Sequence, residues 1–185
     1  MGASRVPAGT VPRMDALARA AAEHPDAPAL VVDGRAITYA ELDTAANGVA
    51  DLIEASGTLG DHAVAFWGDR NPEAVAAIWG VPRAGVAAVP VDPRTPPGLA
   101  METTRAAGVR GLWTPPSEGF DRLVARGSGL RHEGSGEYVV FTSGSEGSPK
   151  GVRLTRGNVE ASVAASQVRL GHGHGDAWLC VLPLF

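Results

Sequence analysis

Residues 137–155, EYVVFTSGSEGSPKGVRLT, decide how this 185-residue chain is read. Tyr138, Val139, Val140 and Phe141 form a short apolar run of β-formers, enough for one buried strand. From Thr142 to Gly151 the composition changes to glycine, hydroxyl side chains, Pro149 and Lys150. Such a backbone turns sharply and lets a ligand approach closely. Amides left unpaired by a tight glycine-rich turn form an anion-binding hollow, to which Thr142, Ser143 and Ser145 add donors and Lys150 a mobile positive charge. Val152 to Thr155 then alternate like a second strand, so the unit is expected to be a hairpin rather than the strand-to-helix turn of a P-loop. The P-loop pattern also fails by residue, because Pro149 and Gly151 stand where glycine and a hydroxyl residue would be required after Gly144.

The order of residues 142–151, TSGSEGSPKG, resembles the phosphate-binding signature of the adenylate-forming superfamily, which includes acyl-CoA synthetases, peptide-synthetase adenylation domains and luciferases. The bland alternative is a glycine-rich hairpin turn with one surface lysine. One departure stands out: Glu146 occupies a position where the family usually has threonine, and a carboxylate beside phosphates repels them unless it points outward or faces a metal. A glutamate here also occurs in some acyl-ACP synthetases and related acyltransferases. The resemblance implies phosphate contacts from Thr142, Ser143, Gly144, Ser145, Glu146, Gly147 and Lys150, with ATP, Mg2+ and coenzyme A as co-substrates.

Upstream, MDALARAAAEH at 14–24 predicts a helix stopped by Pro25, and Ala29–Val32 with Ala36–Tyr39 predict two strands joined at Asp33 and Gly34. Thr38 and Glu41 form a capping box for a helix whose apolar face is Leu42, Ala45, Ala46, Val49 and Ile53. His62 to Trp67 reads as a strand, and Asn71 with Pro72 opens a helix expected to bury Val75, Ile78 and Trp79. Pro82 removes the hydrogen bond to the Ile78 carbonyl, so a kink or early end is expected there. Val86 to Val91 is continuously apolar, which suggests burial on both faces of a parallel sheet. A turn at 92–97, a helix over about 98–107 and a strand over 109–113 complete another unit.

Strands alternating with helices argue for an α/β fold of layered parallel-rich sheets with flanking helices. The stretches ITYAELDTAANGVADLI (37–53), NPEAVAAIWGVPRAGVAAVPVDPR (71–94) and AGVRGLW (107–113) follow the same family's N-terminal order, so the resemblance covers almost the whole chain and implies an incomplete N-terminal adenylation domain. The expected organisation is a first α/β half at 12–113, a linker at 114–136 with a short helical piece near 121–125, and the start of a second half at 137–185.

After the loop a helix opens at Thr155 or Asn158 and runs to about Val168. GHGHG at 171–175 reads as a solvated turn in preference to a metal site. The apolar run AWLCVLPLF at 177–185 demands a covering partner, from which a truncated chain is expected. Residues 154–185 are similar to o-succinylbenzoate-CoA ligases of menaquinone synthesis at Asn158, Ala161, Ser162, Leu170, Gly171, Asp176, Trp178, Leu179 and Pro183. Fatty-acyl or aryl-acid CoA ligases and acyl-ACP synthetases are the alternatives in the same class, and a non-catalytic nucleotide-binding fragment is the alternative outside it. The family's later catalytic positions would lie beyond Phe185, so no complete catalytic set is expected within these residues.

Composition narrows the partners. With 44% hydrophobic residues the chain can bury a sizeable core, and a net charge of −4 leaves no basic field for nucleic acid. No apolar run approaches the roughly 18 residues of a membrane span. Cys180 is the single cysteine, so a disulfide framework is excluded and a reducing cytoplasm is the default expectation. The implied partners are a small-molecule carboxylic acid, ATP and coenzyme A.

Overall fold

The computed structural model describes residues 15–56, 63–106, 108–113, 120–121, 138–142, 150–171, 173 and 175–185. A six-stranded sheet has the order β6-β5-β3-β4-β7-β8. Its middle is parallel: β3 (Ala63–Trp67) lies between β4 (Ala87–Val91) and β5 (Val109–Trp113), and β4 pairs on its other side with β7 (Tyr138–Thr142). Antiparallel strands flank this parallel set, β6 (Phe120–Asp121) against β5 and β8 (Lys150–Leu154) against β7. A separate hairpin pairs β1 (Pro28–Val32) with β2 (Arg35–Thr38) through Asp33 and Gly34, both at positive φ (51° and 78°). The α/β, mostly parallel architecture is the one the sequence implies. Asp121 lies in a strand, not in the expected helical piece, because it pairs with Leu112; residues 122–125 lie outside those described.

Both faces of the sheet are covered at β3 and β4. Val64, Phe66 and Ala88 join one core with α1 (Ala16–Glu23), α2 (Tyr39–Ala55) and α3 (Pro72–Arg83). Ala63, Ala65, Ala87, Val89 and Val91 point the other way, where Ala100 of α4 (Pro97–Ala106) packs on them with Val109 and Val139. That alternation explains why β3 and β4 read as unbroken apolar runs.

The helices begin where their caps dictate. Asp15 accepts from the Ala18 amide at 2.9 Å, the Thr38–Glu41 capping box is closed in both directions (3.2 and 2.8 Å), and Asn71 accepts from Ala74 at 2.8 Å ahead of Pro72. Two expected faces are corrected. In α2, Ala45 is exposed and Ala50 is buried in its place. In α3 the buried face is Ala74, Ala76, Ala77, Gly80 and Val81, while Val75, Ile78 and Trp79 are only half-buried. The reason is close packing: a Cβ on Gly80 would strike the Ala46 carbonyl oxygen and come within 2.6 Å of the Val49 Cβ, so α2 and α3 cross where only small residues fit.

The α3 helix continues one residue past Pro82 and ends at Arg83, whose side chain is 1% exposed. Its guanidinium meets Asp15 twice (Nε at 2.7 Å, Nη2 at 2.8 Å), Asp43 at 2.7 Å, Asn47 at 3.1 Å and the Asp43 carbonyl at 3.3 Å. One cation thus ties the start of α1, the middle of α2 and the end of α3. Burial works to raise the Asp15 pKa, but the Arg83 hydrogen bonds and charge together with the Ala18 amide outweigh it and hold the carboxyl below its ordinary 3.8.

Since the folded pKa is depressed, this stabilisation is fully present above pH 3.8 and is lost as pH falls through the lower folded value. Asp15→Asn keeps a capping side chain yet removes the charge opposite a buried guanidinium. Urea unfolding should show a loss of about 3 kcal/mol at pH 7, with the gap to the parent narrowing as the buffer is taken below the ordinary Asp value; an equal gap at pH 7 and pH 3 would contradict the assignment.

Candidate functional site

Because β3, β4 and β7 are parallel, their carboxyl ends emerge at one edge of the sheet, where open α/β sheets hold their ligands. Gly68 follows β3 there, Asp92 follows β4, and Thr142 ends β7. The Gly68 amide donates to the Val91 carbonyl at 2.8 Å, which carries the pairing of β3 and β4 one step past the strands.

Thr142 and Lys150 stand opposite each other in the β7–β8 register, the expected hairpin, with the Thr142 hydroxyl 3.4 Å from the Lys150 carbonyl it donates to. Both are exposed. Of the residues predicted to contact phosphate, the structure therefore brings Thr142 and Lys150 together at the mouth of the hairpin; Ser143, Gly144, Ser145, Glu146 and Gly147 lie outside the described residues. Beyond β8, Thr155 caps α5 (Arg156–Leu170), sharing a capping box with Asn158, and Gly171 closes the helix at φ 65°. Every described side chain of α5 is exposed or half-buried.

The same edge holds side chains that sequence reasoning did not single out. Arg94 makes a two-pronged contact with Asp92 (Nε at 2.9 Å, Nη2 at 2.8 Å), and its guanidinium lies 5.4 Å from the centre of the Phe185 ring. The Arg94 side-chain hydrogen bonds lower the Asp92 pKa against an opposing effect of desolvation. Arg70 donates to the Val181 carbonyl at 3.0 Å and Leu184 donates to the Gly68 carbonyl at 3.4 Å. The apolar run 177–185 is thus pinned at this edge. Leu184 packs on the core, while Trp178, Leu179, Val181 and Leu182 are exposed, Leu179 by 86%. Asp92-Pro93-Arg94 was legible only as a turn; its contact with Phe185 spans 91 positions, beyond any local pattern.

Comparison with known proteins gives the family. The chain matches the AMP-binding enzyme family over residues 17–137 and 130–185, and it belongs to that family. It is 35% identical over 182 residues, 95% of its length, to the probable non-canonical nonribosomal peptide synthetase CymA of Salinispora arenicola, and 31% identical over 156 residues to tyrocidine synthase 3 of Brevibacillus parabrevis; it spans 2% of each of those proteins. Its fold is similar to that of o-succinylbenzoate coenzyme A synthetase (MenE) from Bacillus subtilis in complex with AMP, with a TM-score of 0.75 and 25% identity over 91% of this chain and 49% of the other. The same enzyme in complex with ATP and a magnesium ion, at 24% identity, shares the fold with a TM-score of 0.74. The match is to the N-terminal part of the adenylate-forming fold.

A Cβ on Gly68 would sit 2.7 Å from the Phe185 Cβ and 3.1 Å from the Leu184 carbonyl group. In Gly68→Val the Leu184 amide should exchange with solvent at about the rate of an unstructured residue, while the amides of β3 and β4 keep their protection. Unchanged protection at Leu184 would show that the run does not rest on Gly68.

Proposed function

We propose that this chain supplies the polyphosphate-gripping part of a site that activates a small carboxylic acid with ATP. The observation that carries the proposal is the placement of Thr142 and Lys150 face to face at the carboxyl edge of the parallel strands, on either side of the glycine-rich stretch 143–149. Family membership and the AMP bound in the MenE complex support it.

In the proposed reaction a carboxylate oxygen attacks the α-phosphorus of ATP, the bond to the bridging oxygen of the β-phosphate breaks, and pyrophosphate departs. Two anions must meet and a third must leave, so fixed positive charge and N–H donors at the β- and γ-phosphates lower the barrier. Lys150 and Thr142, with Ser143, Gly144, Ser145 and Gly147, are the groups assigned to that task, and Glu146 is included as the equivalent position of the signature. Magnesium would arrive on the phosphates as Mg·ATP.

The acyl-adenylate is then attacked by a thiol, forming a thioester and releasing AMP. Coenzyme A as that thiol is supported by the fold likeness to MenE, and o-succinylbenzoate as the acid by the tail residues Asn158, Trp178, Leu179 and Pro183. The identity to CymA and tyrocidine synthase 3 favours a second reading, in which an amino or aryl acid passes to a carrier-bound thiol. Either chemistry suits a reducing cytoplasm, where Cys180 stays a free thiol. No helix among the described residues is long and apolar enough to cross a membrane.

Titration calorimetry of the chain with Mg·ATP tests the phosphate site. Lys150→Ala should weaken binding about tenfold, or 1.4 kcal/mol, and an unchanged affinity would remove Lys150 from the site. Acid-dependent exchange of labelled pyrophosphate into ATP, run over a panel of carboxylic acids, then separates acid activation from a nucleotide-binding role without catalysis.

A further inference from the structure

The last turn of α3 contains a vacancy in its own hydrogen-bond ladder. Pro82 has no N–H, so the Ile78 carbonyl lacks the partner four residues ahead that a helix normally gives it. The Tyr138 hydroxyl lies 3.2 Å from that carbonyl and donates to it. Tyr138 comes from the first position of β7, 60 residues away, and packs on the core shared by α2 and α3. Its burial, with a smaller contribution from Asp15, raises the phenol pKa against an opposing effect of Arg156, so it remains a donor across the neutral range.

Tyr138 is also where β7 meets the parallel set of the sheet. The β4–β7 ladder joins Ala88 to Tyr138, whereas β3 and β4 pair along their whole length from Ala63 opposite Ala87 to Trp67 opposite Val91. On its other side β7 is fully paired with β8, from Tyr138 opposite Leu154 to Thr142 opposite Lys150, so the two strands shift together. A slip of one residue would move Thr142 and Lys150 by about 3.4 Å along the strand and send each side chain to the opposite face.

We propose that Tyr138 is a positioning residue for the nucleotide site: by supplying the hydrogen bond that Pro82 cannot, its hydroxyl fixes the register of the β7–β8 hairpin against α3 and thereby the place at which Thr142 and Lys150 leave the sheet. The proposal rests on the phosphate-binding reading of that hairpin. It assigns to Tyr138 no contact with substrate. Pro82 and Tyr138 act as a pair, one making the acceptor available and the other using it.

The experiment is a double-mutant cycle in the 185-residue chain, with Tyr138→Phe, Pro82→Ala and their combination measured both by chemical unfolding and by calorimetric titration with Mg·ATP. Tyr138→Phe should lower the folding equilibrium constant about tenfold, because the Ile78 carbonyl is left unsatisfied, and should weaken Mg·ATP about fivefold. In the Pro82→Ala background residue 82 regains an N–H for Ile78, so the added Phe should cost little stability, yet the fivefold loss of nucleotide affinity should remain. Recovery of affinity together with stability would show a purely structural role and overturn the proposal, as would a Tyr138→Phe chain that binds Mg·ATP like the parent. A parent chain that fails to bind Mg·ATP would defeat the nucleotide reading and this proposal with it. That outcome is distinguishable, because the stability cycle would still report the coupling between Tyr138 and Pro82.

Discussion

The pairing of β3 with β4 in parallel register, Ala63 opposite Ala87 through Trp67 opposite Val91, is the constraint on which the arrangement of this chain depends. Parallel strands require crossover connections, and the helices of those crossovers must cover both faces of the sheet. The alternation of Val64 and Phe66 toward α1, α2 and α3, and of Ala63 and Ala65 toward α4, is the packing consequence. The functional consequence is geometric. Strands that run the same way end at the same edge, so Gly68, Asp92 and Thr142, far apart in sequence, become neighbours in one row at the sheet's carboxyl end.

The last turn of α3 connects this sheet to everything around it. Gly80 allows α2 to approach to backbone contact, Pro82 leaves a carbonyl for a side chain from β7, and Arg83 gathers Asp15 and Asp43 in a buried cluster. Each of the three breaks a rule for a good helix interior: glycine is flexible, proline lacks a donor, and a buried guanidinium is costly unless fully paired. Their neighbours compensate each of them. Residues 78–83 therefore link α1, α2 and β7 to a single helix end.

Local signals in the sequence were legible where the physics is local. The Thr38–Glu41 box, the Asn71-Pro72 start, the Asp33–Gly34 turn and the hairpin around residues 142–151 all depend on residues a few positions apart. The buried face of α3 was misjudged because large side chains are ordinarily the ones hidden, whereas the crossing with α2 selects alanine and glycine. Ala45 and Ala50 exchanged places for a related reason: alanine carries little periodic signal, and contact with the neighbouring helix decides which one is covered. The Arg83 cluster was invisible, since Asp15 lies 68 positions away. Pro82 showed half of its story, the missing bond to Ile78, but not the donor that replaces it. At the site, the composition of 142–151 pointed to phosphate, whereas Arg94 over Phe185 exists only once β4 and the 177–185 run reach the same edge.

Polyphosphate held at the hairpin mouth is the claim that joins the fold to the chemistry. Hydrogen–deuterium exchange of the chain with and without Mg·ATP tests it most directly, because it reports which backbone segments the nucleotide covers. Slowed exchange concentrated in peptides from 138 to 154, with the β1–β2 hairpin unchanged, is the predicted result. No slowing there, or slowing confined to segments away from the carboxyl edge of β3, β4 and β7, would contradict it.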